Sequence, residues 1–229
     1  MSKTLLAIGA HYDDCVFGVA GIMLQAIRKN YRVVILSLIG DYGNWAPIGN
    51  RQKELLIETV RISRDYGVEM RYLDFRSHLF DVNSQTKRAV AEVVADVQPD
   101  VALMLWRDDR HDDHVVASQL SGIALRNASA FLEKRPVRAP RAIYAYDNGP
   151  GHTIGFEPTD FVDTSDEWPQ AIDWLGQFMA VVRNEPYDPK KHDSSQQAKE
   201  VLAAYRGKTC GVKYAEAVRA LQTRPRDIL

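Results

Sequence analysis

The stretch that decides the fold is Thr4-Leu5-Leu6-Ala7-Ile8-Gly9-Ala10-His11-Tyr12-Asp13-Asp14. Six residues from Thr4 to Gly9 form a short, almost unbroken apolar run, the pattern of a strand buried on both faces. Four polar or ionisable residues follow at once, and then a helical pattern over Gly18–Lys29, with Ile22, Met23, Ala26 and Ile27 on one face. A buried strand that ends in charge and then turns into a helix is the opening of a βαβ unit.

The same alternation continues outward. Strands are expected at Arg32–Leu38, Arg71–Asp74, Val101–Leu105 and Ala142–Tyr146, with helices at Arg51–Tyr66, Ser84–Val97 and Asp113–Phe131. Asn50 is the expected cap of the helix from Arg51. This is the pattern of an α/β, Rossmann-like, mostly parallel sheet with helices on both faces. After Tyr146 the pattern changes. Asp147–Pro158, with three Gly and two Pro, reads as a loop, Asp160–Thr164 as a late strand, and Glu167–Arg183, Ser195–Arg206 and Tyr214–Thr223 as helices. The expectation is a single α/β domain over residues 1–229. Residues 1–150 carry the sheet and site, and 151–229 form a helical C-terminal extension that closes the pocket or mediates association.

The 229 residues include 29 Lys plus Arg and 30 Asp plus Glu, a net charge of −1. That balance argues against a nucleic-acid or anionic-membrane partner, since both need a strongly basic surface. The first apolar run is too short for a signal-peptide core, and no window approaches the roughly 18 apolar residues of a membrane span. With two cysteines, no disulfide framework is implied, and a cytoplasmic protein is expected. Cys15 reads as a small buried hydrophobe and Cys210 as structural.

In open α/β sheets ligands sit beyond the carboxyl ends of the strands. Those positions hold His11-x-Asp13-Asp14, Gly40-Asp41-Tyr42, the run Arg107 to His114, and Asp147-Asn148. An Asp-Asp pair alone reads as a turn or cap, and an isolated His-x-x-His as a solvated helix face. The two together, at two strand ends of one sheet, point to a divalent metal. Imidazole and carboxylate suit Zn²⁺, and a catalytic zinc takes three protein ligands with one position open. A spare carboxylate is then available as a general base. Spacing alone does not say which carboxylate ligates, nor whether both His111 and His114 do. The four carboxylates Asp108, Asp109, Asp112 and Asp113 read either as a solvated loop or as a cluster that raises the pKa of His111 and keeps it cationic. His78, His152 and His192 read as solvated loop residues. Trp45, Trp106, Tyr12 and Tyr42 read as rim packing or as platforms for a sugar ring. The spacing between Gly9 and Gly18 is not that of a dinucleotide-binding loop.

Ala10-His11-Tyr12-Asp13-Asp14 with Phe17-Gly18 and Gly21 resembles the Ala-His-Pro-Asp-Asp opening of the PIG-L/LmbE-like N-acetylglucosaminyl deacetylase family. His111-Asp112-Asp113-His114 resembles that family's His-Pro-Asp-His. Arg51-x-x-Glu54, Phe161-Val162-Asp163 and Gly211-Val212-x-Tyr214-Ala215-Glu216-Ala217 resemble further family segments. The resemblance implies a zinc-dependent amide hydrolase that removes acetyl or related acyl groups from amino sugars, with Fe²⁺ as an alternative metal. It implies His11, Asp14 and His114 as ligands, Asp13 as general base, His111 as oxyanion partner with Asp113 orienting it, and Arg51 as a substrate-holding residue. Tyr12 replaces the family's Pro, Asp41 stands near its Gly-Glu, and Asp112 replaces the second motif's Pro. Tyr12 and Asp41 are therefore candidates for contact with a divergent substrate, a small neutral or weakly charged amide. Alternatives are an amidase on a bulkier acyl or thiol conjugate, and a non-catalytic sugar- or metabolite-binding protein. The resemblance also implies a homo-oligomer formed through the tail.

Overall fold

The computed structural model describes residues 3–133 and 135–222. The elements in chain order are β1 (Thr4–Gly9), α1 (Asp14–Arg28), β2 (Arg32–Asp41), α2 (Gln52–Asp65), β3 (Glu69–Arg76), α3 (Ser84–Val97), β4 (Val101–Leu105), α4 (Asp112–Phe131), β5 (Ala142–Tyr146), β6 (Asp160–Asp163), α5 (Trp168–Arg183), α6 (Ser194–Cys210) and β7 (Ala215–Ala220). They build one seven-stranded sheet in the order β3-β2-β1-β4-β5-β7-β6. β1 to β5 run parallel, and β7 is antiparallel to both β5 and β6. Helices α1 and α2 each pack on α5, and α3 packs on α4, giving the two helical layers. β1 is buried throughout and β2 over eight residues, as expected for strands covered on both sides.

The order reverses between β2-β1 and β4-β5, so the switch point lies between the carboxyl ends of β1 and β4. This is where an open α/β sheet leaves a crevice. It brings the segment after β1 beside the segment after β4, although they are about a hundred residues apart in the chain.

Three local expectations change. α1 starts at Asp14, ahead of Gly18, and a non-helical Val19 (φ −143°) kinks it. A Cβ on Gly18 would strike the ring of Tyr146, so this helix needs glycine to lie close to β5. α2 is preceded by Arg51, with no side-chain cap from Asn50 or any other residue. Tyr214–Thr223 is not helical: Ala215–Ala220 is strand β7, and Thr223 lies outside the described residues. Ala and Glu favour helix locally. Here β6 pairs with residues 215–218 and β5 with residues 218–220, and tertiary pairing wins. The C-terminal segment is thus strand as well as helix.

β7 also repairs the kink in α1. Glu216 accepts hydrogen bonds from the amides of Gly21 (2.9 Å) and Ile22 (2.8 Å). Lys199 of α6 donates to Glu216 (3.0 Å) and to the Phe17 carbonyl (2.6 Å). The Gly21 N–H and the Phe17 C=O, four residues apart, are therefore met by the two ends of one buried ion pair. A helix ladder opened in this way kinks where the foreign groups enter. Both cysteines are free: Cys15 is buried against the Tyr146 hydroxyl, and Cys210 is exposed rather than part of the core. Among the described residues no helix is long and apolar enough to cross a membrane.

Candidate metal centre

At the switch point, two imidazoles and a carboxylate converge. His11 Nδ1 lies 3.1 Å from His114 Nε2. Asp14 Oδ1 is 3.2 Å from His114 Nε2, and Asp14 Oδ2 is 3.6 Å from His11 Nδ1. Donors bonded at about 2.0–2.1 Å to one tetrahedral ion stand about 3.3 Å apart, and these separations match that edge.

The surroundings set the protons. His11 Nε2 faces Asp113 Oδ2 at 3.2 Å, so its N–H donates there and Nδ1 keeps its lone pair toward His114. His114 Nδ1 lies 3.2 Å from Asp109 Oδ1, close enough for electrostatic pairing although not aligned as a hydrogen bond. A carboxylate behind each histidine fixes which nitrogen is free, the usual outer support of a metal ligand. Asp14 is held as firmly: Oδ2 accepts from the amides of Ala10 and His11, both at 2.8 Å, and Oδ1 from Asn148 Nδ2 at 2.6 Å. Two lone pairs face each other beside a buried carboxylate, an arrangement that calls for a cation between them. The residues present therefore fit a divalent metal.

The electrostatics point the same way. Without a metal the cluster holds protons in its place. Burial opposes charge on His11, but Asp113 and Asp14 outweigh it and lift the pKa to about 9. Burial likewise opposes charge on His114, and Asp14 and Asp109 lift it to about 10. Asp14 resists burial because His114 and His11 hold it well below the ordinary carboxylate range. Asp13 is different: burial, with the charge of Asp14, pushes it up to about 6. The two adjacent carboxylates thus have distinct characters, one a fixed anion and the other a group that exchanges a proton near neutrality.

His111 departs from expectation. Its pKa falls to about 4, through burial and the charges of His11 and His114, which outweigh the acidic run. The Asp113 amide donates to His111 Nδ1 at 3.3 Å, so a neutral His111 carries its proton on Nε2. It is a neutral donor rather than a cation.

A cavity of about 430 Å³ opens over these groups. His11, Asp13, Asp14, His111 and His114 line its polar end, and Tyr12, Phe17, Tyr42 and Trp45 give it an aromatic wall. Tyr12 is buried in that wall rather than set at a rim; its amide donates to the Tyr42 hydroxyl at 3.0 Å. The loop Asn148–His152 and the start of α6, at Ser194 and Ser195, complete the enclosure. Among the described residues no Lys or Arg lines it.

Two expected substrate residues stand elsewhere. Arg51 donates to the carbonyls of Val181 (3.0 Å) and Val182 (2.7 Å), tying α2 to the C-terminal turn of α5. Asp41 accepts from the Gly43 amide at 2.8 Å and does not line the cavity. Asp113, expected behind His111, is nearer His11: its Oδ2 is 4.0 Å from His111 Nδ1. Conversely Asn148, Asp109, His78 and His152 join the site without having been singled out for it. His78 stacks on His111 (4.9 Å, 14°), and the ring of His152 lies 5.3 Å from that of His114. The signal available in the sequence was position: Asp109 follows β4, at the switch point, and Asn148 follows β5, the next strand beside it.

The α/β fold thus brings a His-Asp-His donor set and an adjacent carboxylate to one crevice. Residues 6–125 match the family model PIG-L: GlcNAc-PI de-N-acetylase, more than half of the chain, and the chain belongs to that family. Solved structures share the fold. GalB, the 4-carboxy-2-hydroxymuconate hydratase from Pseudomonas putida, superposes with a TM-score of 0.83 at 20% identity, covering 99% of each chain. The N,N'-diacetylchitobiose deacetylase from Pyrococcus horikoshii gives 0.76 at 18% identity, covering 96% of this chain and 84% of that one. A conserved protein from Thermus thermophilus gives 0.74 at 23% identity, covering 99% and 98%.

Proposed function

We propose that the protein is a divalent-metal-dependent hydrolase, with Zn²⁺ as its metal, that removes an acetyl or related acyl group from the amide nitrogen of an amino sugar or sugar conjugate. The observation that carries this reading is the convergence of His11 Nδ1, His114 Nε2 and the Asp14 carboxylate beside Asp13, at the floor of one cavity. Family membership supports the deacetylase chemistry.

His11, Asp14 and His114 would hold the metal, which supplies a nucleophile at neutral pH and polarises the acyl carbonyl. Asp13, raised toward neutrality, accepts the proton of the attacking water and returns it to the departing amine nitrogen. His111 donates its Nε2 proton to the oxygen that gains charge as the carbonyl carbon becomes tetrahedral. Asp113 holds His11 and, through its backbone amide, His111. The aromatic wall of Tyr12, Tyr42 and Trp45 offers flat apolar surface to a sugar ring.

The competing reading is a hydratase, by likeness to GalB. A carboxylated substrate asks for cations, and no lining residue is Lys or Arg among those described. A neutral amide fits better. The test is amine release from N-acetylglucosamine, N,N'-diacetylchitobiose and a series of longer N-acyl sugars, run beside hydration of carboxylated enols. Amine release that requires metal supports the proposal. Release only from long acyl chains or thiol conjugates redirects it to a bulkier amidase, and hydration alone overturns it.

A further inference from the structure

The segment after β5 runs Asp147-Asn148-Gly149-Pro150-Gly151-His152-Thr153, and its residues Asn148 to His152 enclose the cavity. Packing does little to hold its tip, since a Cβ on Gly151 would meet open space. Hydrogen bonds place it instead. The Gly149 carbonyl accepts from the amides of His152 (3.2 Å) and Thr153 (3.0 Å), which closes a turn. The Arg110 amide donates to the His152 carbonyl (3.0 Å) and the Ile154 amide to the Asp108 carbonyl (2.8 Å). Thr153 thus lies antiparallel beside Asp109.

The Thr153 side chain then makes two bonds that the backbone ladder does not require. Its Oγ1 accepts from the Asn148 amide at 2.9 Å and donates to Asp109 Oδ2 at 3.3 Å. The sense of both bonds is fixed, because an amide N–H donates and a carboxylate accepts. Each partner stands behind a different member of the donor set. Asp109 Oδ1 accepts from the His111 amide (2.8 Å) and lies 3.2 Å from His114 Nδ1. Asn148 Nδ2 donates to Asp14 Oδ1 at 2.6 Å.

We propose that Thr153 is a positioning residue of the metal centre, whose one hydroxyl joins the support of His114 to the support of Asp14 and ties the enclosing loop to both. Its role rests on the His11-Asp14-His114 donor set of the proposed function and not on the substrate. Thr153 does not line the cavity, so it acts through Asp109 and Asn148. Without the hydroxyl, Asp109 Oδ2 loses the donor that keeps the carboxylate from turning, and Oδ1 loses its aim at His114. The amide of the buried Asn148 loses its acceptor, and the bond from its side chain to Asp14 loses a fixed origin.

The experiment titrates chelator-stripped wild type, Thr153→Val and Thr153→Ser with Zn²⁺ in a calorimeter, beside thermal melts of the metal-free proteins. Valine keeps the shape and neither bond; serine keeps both bonds. Thr153→Val should weaken Zn²⁺ binding by about 10–100-fold, the range for a lost outer partner, and Thr153→Ser should restore most of it. Thr153→Ala is the second hydroxyl-free variant should valine not fold. A role in folding alone would lower the melting temperature of the metal-free protein and leave the affinity unchanged, which overturns the proposal. Because the effect runs partly through Asp109, Asp109→Asn should cost less affinity in the Thr153→Val background than in the wild type. Full additivity overturns that route. Zinc bound equally by the wild type and the hydroxyl-free variants overturns the role of Thr153 and leaves the proposed function standing. No zinc bound by the wild type overturns both.

Discussion

The cavity has two walls of different origin. The wall bearing the donors comes from β1 to α4, where short segments after two adjacent parallel strands carry His11 to Asp14 and Asp109 to His114. The facing wall comes from residues 148–198, through a glycine-rich loop and the start of α6. The first wall is anchored by the sheet: His11 lies two residues after β1, and His114 stands in the first turn of α4, which follows β4. The second is held by contacts across the chain: Asn148 on Asp14, and Lys199 with Glu216 on the kink of α1. The proposed chemistry resides on one side, while the other supplies enclosure, so damage to the two should read out differently.

The largest effect is expected on the donor wall. Asp13→Asn should lower kcat by about 10²–10⁴-fold, the range for a lost general base, with metal content retained. If turnover persists with metal bound, Asp13 is not the base. Chelation should abolish amine release in the wild type and added Zn²⁺ should restore it. On the facing side, Glu216→Ala strands the buried Lys199 ammonium. It should cost about 3–5 kcal/mol in a denaturant melt, as breaking a buried pair does. The double change Lys199→Met with Glu216→Leu should recover part of that loss. If Glu216→Ala lowered turnover without lowering stability, the division between the two walls would fail.

Smaller effects sharpen the comparison. Asp109→Asn leaves all three ligands in place but loosens His114, so Zn²⁺ affinity should fall by about 10–100-fold by calorimetry. An unchanged affinity would remove Asp109 from the support of the site. Arg51→Ala should cost about 1 kcal/mol of stability, through the lost bonds to α5, with KM unaltered. A raised KM at constant melting temperature would return Arg51 to substrate binding.

The donor wall was legible because its elements are local. A buried strand, a polar turn and an amphipathic helix are each read within about a dozen residues, and the chemistry sits where strand gives way to helix. The segments His11-x-Asp13-Asp14 and His111-x-x-His114 could be singled out in this way, while the choice of His11, Asp14 and His114 among them came from the family resemblance. The partner of each could not: Asp113 reaches His11 rather than mainly His111, and His78 reaches the site through a left-handed turn after β3. The charge of His111 was misjudged for a related reason. The acidic residues nearest in sequence are outweighed by two histidines brought close in space. The C-terminal strand was misread as helix because Ala-Glu-Ala carries helical propensity, while the open edge of β5 is invisible to a local reading.

By itself, the sequence determined the alternating α/β layout, the near-neutral net charge and the residues able to ligate a metal. Each of these follows from periodicity, composition or side-chain chemistry, which do not depend on distant neighbours. Only the tertiary structure decided that β1 and β4 lie side by side, that Arg51 serves α5 instead of the cavity, and that Lys199 and Glu216 share one buried bond network. Those outcomes depend on strand order and on which polar groups must be satisfied once water is excluded, and both are properties of the packed chain.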